Sequence, residues 1–276
     1  MKKFLIVTDL DASFIDESYQ YTEALEAINK LKELDFPLVF NSSKTLVECE
    51  ALANKLKLET PRIAENGGII AVPKTSEISS ACTPSEEHSW KDEGDYKTLI
   101  TGLSRDFILR KAHKARKEYG FDFKGFDDWS PRELSEITGL SINDAELAKQ
   151  RHVSEPILWN DTHSNWHQFS SLMEAKWIRT LRGGKFIHLM GPSDKADGLK
   201  VTKQIYTEKY PEIDWVTVAI GDSDNDHSML HNADKGILIP HDDGPKLEVN
   251  SPTITLAKHP SSKGWNDAVL ELIRTL

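Results

Sequence analysis

Phe4-Leu5-Ile6-Val7-Thr8-Asp9-Leu10-Asp11 is an apolar run that ends in two carboxylates. Four consecutive apolar residues read as a strand buried on both faces, the pattern of a parallel sheet covered by helices. Far downstream the arrangement recurs. Val216 to Ile220 is apolar and runs into Gly221-Asp222-Ser223-Asp224-Asn225-Asp226. In an open parallel sheet, ligands collect outside the carboxyl ends of the strands. Two acidic clusters at strand exits can therefore meet at one spot, although they lie near opposite ends of the chain. Converging carboxylates are hard donors and suit a hard divalent cation, most simply Mg²⁺.

Outward from this first strand, helical spacing covers residues 22–34, Pro37-Leu38-Val39-Phe40 reads as a second strand, and Thr45-Leu46-Val47-Glu48 fits a capping box. Ile63-Ala64 and Ile69 to Val72 flank the turn Gly67-Gly68. The alternation of strand and helix predicts a doubly wound, parallel-sheet α/β core with right-handed crossovers. The rhythm breaks near residue 74. Lys74 to Asp95 is polar and reads as an exposed excursion, 98–118 as an amphipathic helix, 155–159 and 185–190 as strands with a helix near 172–182 between them. The rhythm resumes with a helix over 195–210 and the strand 216–220. We expect residues 1–83 and 190–276 to form the core and residues 84–189 an inserted α+β domain.

The chain has 276 residues and a formal charge of −10, from 34 basic and 44 acidic residues. That sign argues against nucleic acid or an anionic membrane as partner. No apolar stretch approaches the ~18 residues of a membrane span. The apolar part of the first residues is too short for a signal peptide and runs straight into acid. Cys49 and Cys82 make no disulfide framework, so a cytoplasmic protein is expected. Nothing in the sequence points to an obligate protein partner.

Asp9 and Asp11 stand two residues apart at a strand end. One carboxylate can attack phosphorus and form an aspartyl-phosphate, while the other protonates the leaving alkoxide and later deprotonates water. Asn41-Ser42-Ser43-Lys44-Thr45 leaves the second strand and enters a helix, offering a hydroxyl, free N–H groups and a lysine to an anion. Taken alone it reads sooner as plain helix capping by Ser42, Ser43 or Thr45. Ser193-Asp194-Lys195 precedes a helix, where a lysine can reach a phosphate as a point charge. Asp222, Asp224 and Asp226 alternate as in a calcium loop. That reading fails because His227 and Ala233 stand where such a loop needs glycine and glutamate.

In this order, Asp9-x-Asp11, Ser42, Lys195 and Gly221-Asp222-x-x-x-Asp226 resemble the haloacid dehalogenase superfamily of phosphohydrolases, and the insert falls where a C2-type cap sits in that superfamily. Phe40 to Thr45, Glu59-Thr60-Pro61, Glu65-Asn66-Gly67, Thr138-Gly139-Leu140, Ser154-Glu155 and Gly221 to Asp226 resemble more narrowly its phosphatases of glycosylated 3-phosphoglycerates. The resemblance implies Asp9 as nucleophile and Asp11 as acid/base. It implies a Mg²⁺ site at Asp9, Asp11 and Asp222 supported by Asp226, and phosphate binding by Ser42 and Lys195. Ser43, Lys44, Glu65, Asn66 and Asn225 would line the floor. Arg151, Ser154 and Glu155 would read glycerate and sugar from the cap, with His188 and Ser193 as further binding candidates. Where most relatives carry Gly-Thr after the second aspartate this chain has Ala12-Ser13, which puts the turn geometry in question.

The expected substrate is a phosphorylated glycoside, mannosyl-3-phosphoglycerate, split into mannosylglycerate and phosphate. Alternatives are a glucosyl-3-phosphoglycerate or other sugar-phosphate phosphatase, a phosphotransferase on the same scaffold, and a non-catalytic sugar-phosphate sensor. Keeping an acid/base beside a nucleophile counts against the sensor.

Overall fold

Apolar side chains on both faces make β1 (Lys2–Thr8) a central strand, buried from Phe4 onward. After it come α1 (Leu25–Glu33), β2 (Leu38–Asn41), α2 (Leu46–Lys55), β3 (Arg62–Ala64), β4 (Ile69–Pro73), β5 (Lys91–Glu93) and β6 (Tyr96–Ile100). The middle of the chain holds α3 (Arg105–Tyr119), β7 (Phe123–Gly125), α4 (Pro131–Thr138), α5 (Ile142–Lys149), β8 (Ser154–Trp159), α6 (His163–Glu174), β9 (Arg179–Gly183) and β10 (Phe186–Met190). Then follow α7 (Lys195–Lys209), β11 (Asp214–Gly221), α8 (His227–Asn232), β12 (Lys235–Leu238), β13 (Ile254–Leu256) and α9 (Ser261–Ile273). This computed structural model describes residues 1–16, 18–248 and 250–275.

Nine strands form one sheet in the order β13-β12-β11-β1-β2-β3-β4-β6-β5. The six strands from β13 to β3 run parallel, and β4, β6 and β5 are antiparallel to their neighbours. The chain winds from β1 one way through β2 and β3 and the other way through β11, β12 and β13. The topological switch point therefore lies at β1. Side chains of each strand alternate between two apolar layers. Phe4, Ile6, Phe40, Val218 and Trp265 fill one, and Leu5, Val7, Val39, Ile63 and Ala219 the other.

A second, antiparallel sheet has the order β7-β8-β10-β9. It carries apolar clusters of its own, one around Phe121, Phe123, Ile157, Phe169 and Leu189, another around Phe126, Trp129 and Leu134. The expected architecture, a parallel-sheet α/β core with an inserted α+β cap, is thus what forms. Sheet membership puts the entering crossing at residues 101–104, later than the expected 84, because β5 and β6 hydrogen-bond into the large sheet. Tyr96 to Ile100, whose last residues looked helical in sequence, pair with β4. The helix expected over 172–182 ends at Glu174, and Arg179 onward forms β9. Among the described residues no helix is long and apolar enough to cross a membrane.

Candidate active site

Parallel pairing sets Thr8 level with Ile220 on one side and Phe40 on the other. The residues that leave these three strands, Asp9, Asp222 and Ser42, consequently emerge side by side. α7 starts just above them. Its N-cap Asp194 accepts from the N–H groups of Ala196 and Asp197, which fixes the first turn and aims Lys195 inward. Lys195 is wholly buried, with Nζ 2.5 Å from Asp9 Oδ1 and 2.6 Å from Asp226 Oδ1.

The loop after β11 is closed by Asp226, whose Oδ2 accepts the N–H groups of Asp222 (3.0 Å) and Ser223 (3.2 Å). Asp222 is oriented from both sides, by the Ser13 hydroxyl on Oδ1 (3.1 Å) and His241 Nε2 on Oδ2 (2.7 Å). Asp9 is anchored through its backbone. Trp265 Nε1 donates to Thr8 Oγ1 (2.9 Å), which donates to the Asp9 carbonyl (2.8 Å). Carboxylate oxygens of Asp9, Asp222 and Asp226 lie within 4.8 Å of one another, and all three residues are buried.

These carboxylates share one ammonium, so negative charge is in excess. Burial holds the Asp9 carboxyl well above its usual range despite Lys195, with Asp226, Asp222 and Asp11 adding to the rise. Burial and the Asp226 charge raise Asp222 as well. Burial acts to lower the Lys195 ammonium, but Asp226 and Asp9 outweigh it and hold it above the ordinary value. A divalent cation would supply the missing positive charge to a set of hard oxygen donors, so the residues present fit such an ion.

The Asp11 carboxylate stands outside this cluster. It is half-exposed and paired with Lys44 Nζ at 2.9 Å. Burial would lower Lys44, yet Asp11 and Glu48 keep it charged and raised. Ser42 is fully buried, its Oγ accepting the Lys44 N–H at 3.2 Å. Asn225 Nδ2 donates to Asn66 Oδ1 at 3.2 Å, joining two of the expected floor residues.

The insert reaches the same place. Arg151 donates from Nη1 to the Ser43 carbonyl (3.2 Å) and Ser154 Oγ (2.9 Å) and from Nε to the Ala148 carbonyl (3.1 Å), with its guanidinium over Phe126. Among the described residues its Nη2 makes no hydrogen bond. His188 is buried with Nδ1 unpartnered, and burial, with the Arg151 charge, pushes its imidazole down to about 3. Ser193 is buried with its hydroxyl unpartnered.

Two candidates are turned away from the cleft chemistry. The Glu155 carboxylate is taken up by Arg105 Nε (2.8 Å) and Nη2 (2.7 Å) and by the Asp127 N–H (2.7 Å). The Glu65 carboxylate faces donors of residues 152–154. Sequence reasoning passed over His241, Arg105 and Trp265. None belongs to a motif: an isolated histidine after Ile239-Pro240 acquires meaning only when β12 is laid beside β11.

The sequence matches the haloacid dehalogenase-like hydrolase family over residues 6–241. The chain belongs to that family, and it is an enzyme of its phosphatase kind, hydrolysing phosphoric monoesters. It is 33% identical over 276 residues to the glucosyl-3-phosphoglycerate/mannosyl-3-phosphoglycerate phosphatase of Persephonella marina, covering 99% of this chain and 98% of that protein. To the protein of the same description from Methanococcoides burtonii it is 34% identical over 277 residues, covering 98% and 97%. Among solved structures, a Thermoplasma acidophilum protein superposes with a TM-score of 0.65 at 17% identity, over 99% of both chains. The sucrose-phosphatase of Synechocystis, solved with sucrose and phosphate, superposes with a TM-score of 0.61 at 14% identity over 99% of both chains. These structural likenesses speak to the fold.

Proposed function

We propose that the chain is a Mg²⁺-dependent phosphatase of glycosylated 3-phosphoglycerates, with mannosyl-3-phosphoglycerate as substrate and mannosylglycerate and phosphate as products. The observation that carries the chemistry is the meeting of Asp9, Asp222 and Asp226 around Lys195 at the switch point of the sheet. The names of the two relatives support the substrate. Those names join the mannosyl and glucosyl compounds, so glucosyl-3-phosphoglycerate is the second reading.

In this reading Asp9, Asp222 and the carbonyl of Asp11 would hold Mg²⁺, with Asp226 supporting the loop. When bound, the ion would supply charge neutralisation and orientation of the phosphate. Lys195 and Ser42 bind the transferring group. An Asp9 carboxylate oxygen attacks phosphorus in line, the bond from phosphorus to the glycerate oxygen breaks, and Asp11 protonates that oxygen as it leaves. Asp11 then takes a proton from water, water attacks the aspartyl-phosphate, and Asp9 is regenerated as phosphate departs. Asp11 is paired with Lys44 as a carboxylate, so it leaves that pair and takes up a proton from solvent before it acts as the acid. Arg151, through its free Nη2, meets the glycerate carboxylate, for which a guanidinium fork is well shaped. His188 and Ser193 offer unpartnered polar atoms to the sugar hydroxyls. Two buried, free cysteines agree with a cytoplasmic setting.

The test is phosphate release over a panel of mannosyl- and glucosyl-3-phosphoglycerate, sucrose phosphate and simple hexose phosphates, with Mg²⁺ and after chelation. Highest kcat/KM on a glycosylated 3-phosphoglycerate, lost on chelation, is expected. Preference for a phosphate without the glycerate carboxylate would overturn the substrate, and full activity after exhaustive chelation would overturn the metal.

A further inference from the structure

The turn Glu65-Asn66-Gly67-Gly68 between β3 and β4 touches three segments of the site, those that carry Ser42, Asn225 and Lys195. Glu65 and Asn66 are both left-handed, with φ of 50° and 57°. This conformation costs non-glycine residues roughly 1–2 kcal/mol each, so other contacts must hold it. The Glu65 N–H donates to the Lys44 carbonyl and the Asn66 N–H to the Ser42 carbonyl, both at 2.9 Å. Asn66 accepts from Asn225 in the loop after β11. Gly67 lies so close to the start of α7 that a Cβ there would come within 1.9 Å of the Asp194 carbonyl oxygen.

The same turn holds the insert. At the entering crossing, Thr101 donates its N–H to the Gly68 carbonyl (3.0 Å) and its hydroxyl to the Gly67 carbonyl (2.5 Å). The two crossings also press on each other, since a Cβ on Gly191 would lie 2.6 Å from Leu103 N. A third point of attachment is not covalent. The Glu65 carboxylate, with no exposed surface, accepts from His152 N–H (2.7 Å), Val153 N–H (3.1 Å) and Ser154 Oγ (2.6 Å). Val153 is buried in the apolar layer of the large sheet, and a Cβ on Gly68 would lie 2.6 Å from its Cγ2.

Both oxygens of Glu65 are thus spent on donors from the segment that carries Arg151 and Ser154. A carboxylate is a poor contact for an anionic substrate, but it is a strong acceptor for three converging donors. We infer that Glu65 is a positioning residue, a clamp that fixes the cap segment 151–154 over the phosphate floor so that Arg151 and Ser154 stand in reading position. The inference rests on the reading of this cleft as a phosphatase site whose cap touches the substrate.

The experiment compares the parent with Glu65→Ala and Glu65→Gln by two readouts. The first is kcat and KM on mannosyl-3-phosphoglycerate and on 4-nitrophenyl phosphate, which is too small to need the cap. The second is the distance between spin labels on Leu25→Cys and Trp177→Cys, both exposed positions, one on the core and one on the insert, with and without inorganic phosphate. For Glu65→Ala we expect KM for the glycosylated substrate to rise roughly 10–100-fold, the loss of hydrogen bonds to a buried charge. Turnover of the aryl phosphate should change little, and the label distances should lengthen and broaden. Glu65→Gln, which keeps one acceptor oxygen, should fall between. Unchanged distances with loss of the glycosylated substrate alone would overturn the clamp in favour of direct substrate contact. Unchanged distances with equal loss on both substrates would overturn it in favour of a role in the floor, and no effect on either readout would overturn it outright. Should Glu65→Ala not fold, Glu65→Gln carries the same comparison. A parent active on the aryl phosphate alone would refute the substrate reading, while the label distances would still decide on the clamp.

Discussion

Ala12 stands in a left-handed conformation, φ 57°, directly after Asp11. The turn that the sequence put in question is therefore made, with an alanine in a conformation that favours glycine. Ala12→Gly is expected to stabilise the protein by about 1 kcal/mol, because the strain relieved exceeds the chain entropy added. Denaturant unfolding checks this, and a less stable variant would contradict it. His241 bears on the proposed metal site instead. His241 holds one oxygen of Asp222 while Ser13 holds the other. Partners that orient ligating carboxylates typically change metal affinity by about 10–100-fold when removed. His241→Ala should weaken Mg²⁺ binding by that order in isothermal titration. Parent-like affinity would show that Ser13 orients Asp222 unaided.

The decisive elements are the strand exits and the segment between α5 and β8. Arg151 lies on that segment, bonded to Ser43 in the core and Ser154 in the insert. Arg151→Ala is expected to cut kcat/KM on mannosyl-3-phosphoglycerate by roughly 10–100-fold, the worth of a charge-assisted bond, while sparing 4-nitrophenyl phosphate. Equal losses on both substrates would mean that Arg151 serves folding or the core site. The meeting of Asp9 with Asp222 and Asp226 was legible because each cluster follows an apolar run that ends as a strand, whereas Lys195 joined them only through the family resemblance. β5 was not legible: Lys91 to Glu93 is exposed throughout and has no apolar face to betray a strand. β6 hid for the opposite reason, since apolar Leu99 and Ile100 were drawn into the amphipathic pattern of α3 across Gly102 and the N-cap Ser104. The pairing of Glu155 with Arg105 was not legible, because Arg105 is far off in sequence and carries no motif that announces the pair.

At the scale of the whole molecule, the insert and the core are joined through buried polar groups, and acid should loosen them. His188 has its folded value near 3 against an ordinary 6.5, set first by burial and then by Arg151. Between these values the unfolded chain takes up a proton that the folded one refuses, so stability falls as pH drops from 6.5 toward 3. Glu65 acts in the same direction lower down. Burial would raise it, but the bonds from His152 and Ser154 and the Arg151 charge hold it below 4.5, and its contribution is lost as pH falls through that depressed value. Thermal unfolding of His188→Phe should show a shallower decline than the parent between pH 6.5 and 4, and parallel curves would contradict the assignment. The proposed chemistry stands on a carboxylate that becomes phosphorylated at the end of β1. Its most direct test is steady-state phosphate release from mannosyl-3-phosphoglycerate with Mg²⁺ by the parent and by Asp9→Asn. We predict turnover by the parent and a loss beyond ~10³-fold in the variant, since an amide cannot form the phospho-enzyme. Phosphate release by Asp9→Asn at a rate near that of the parent would contradict it.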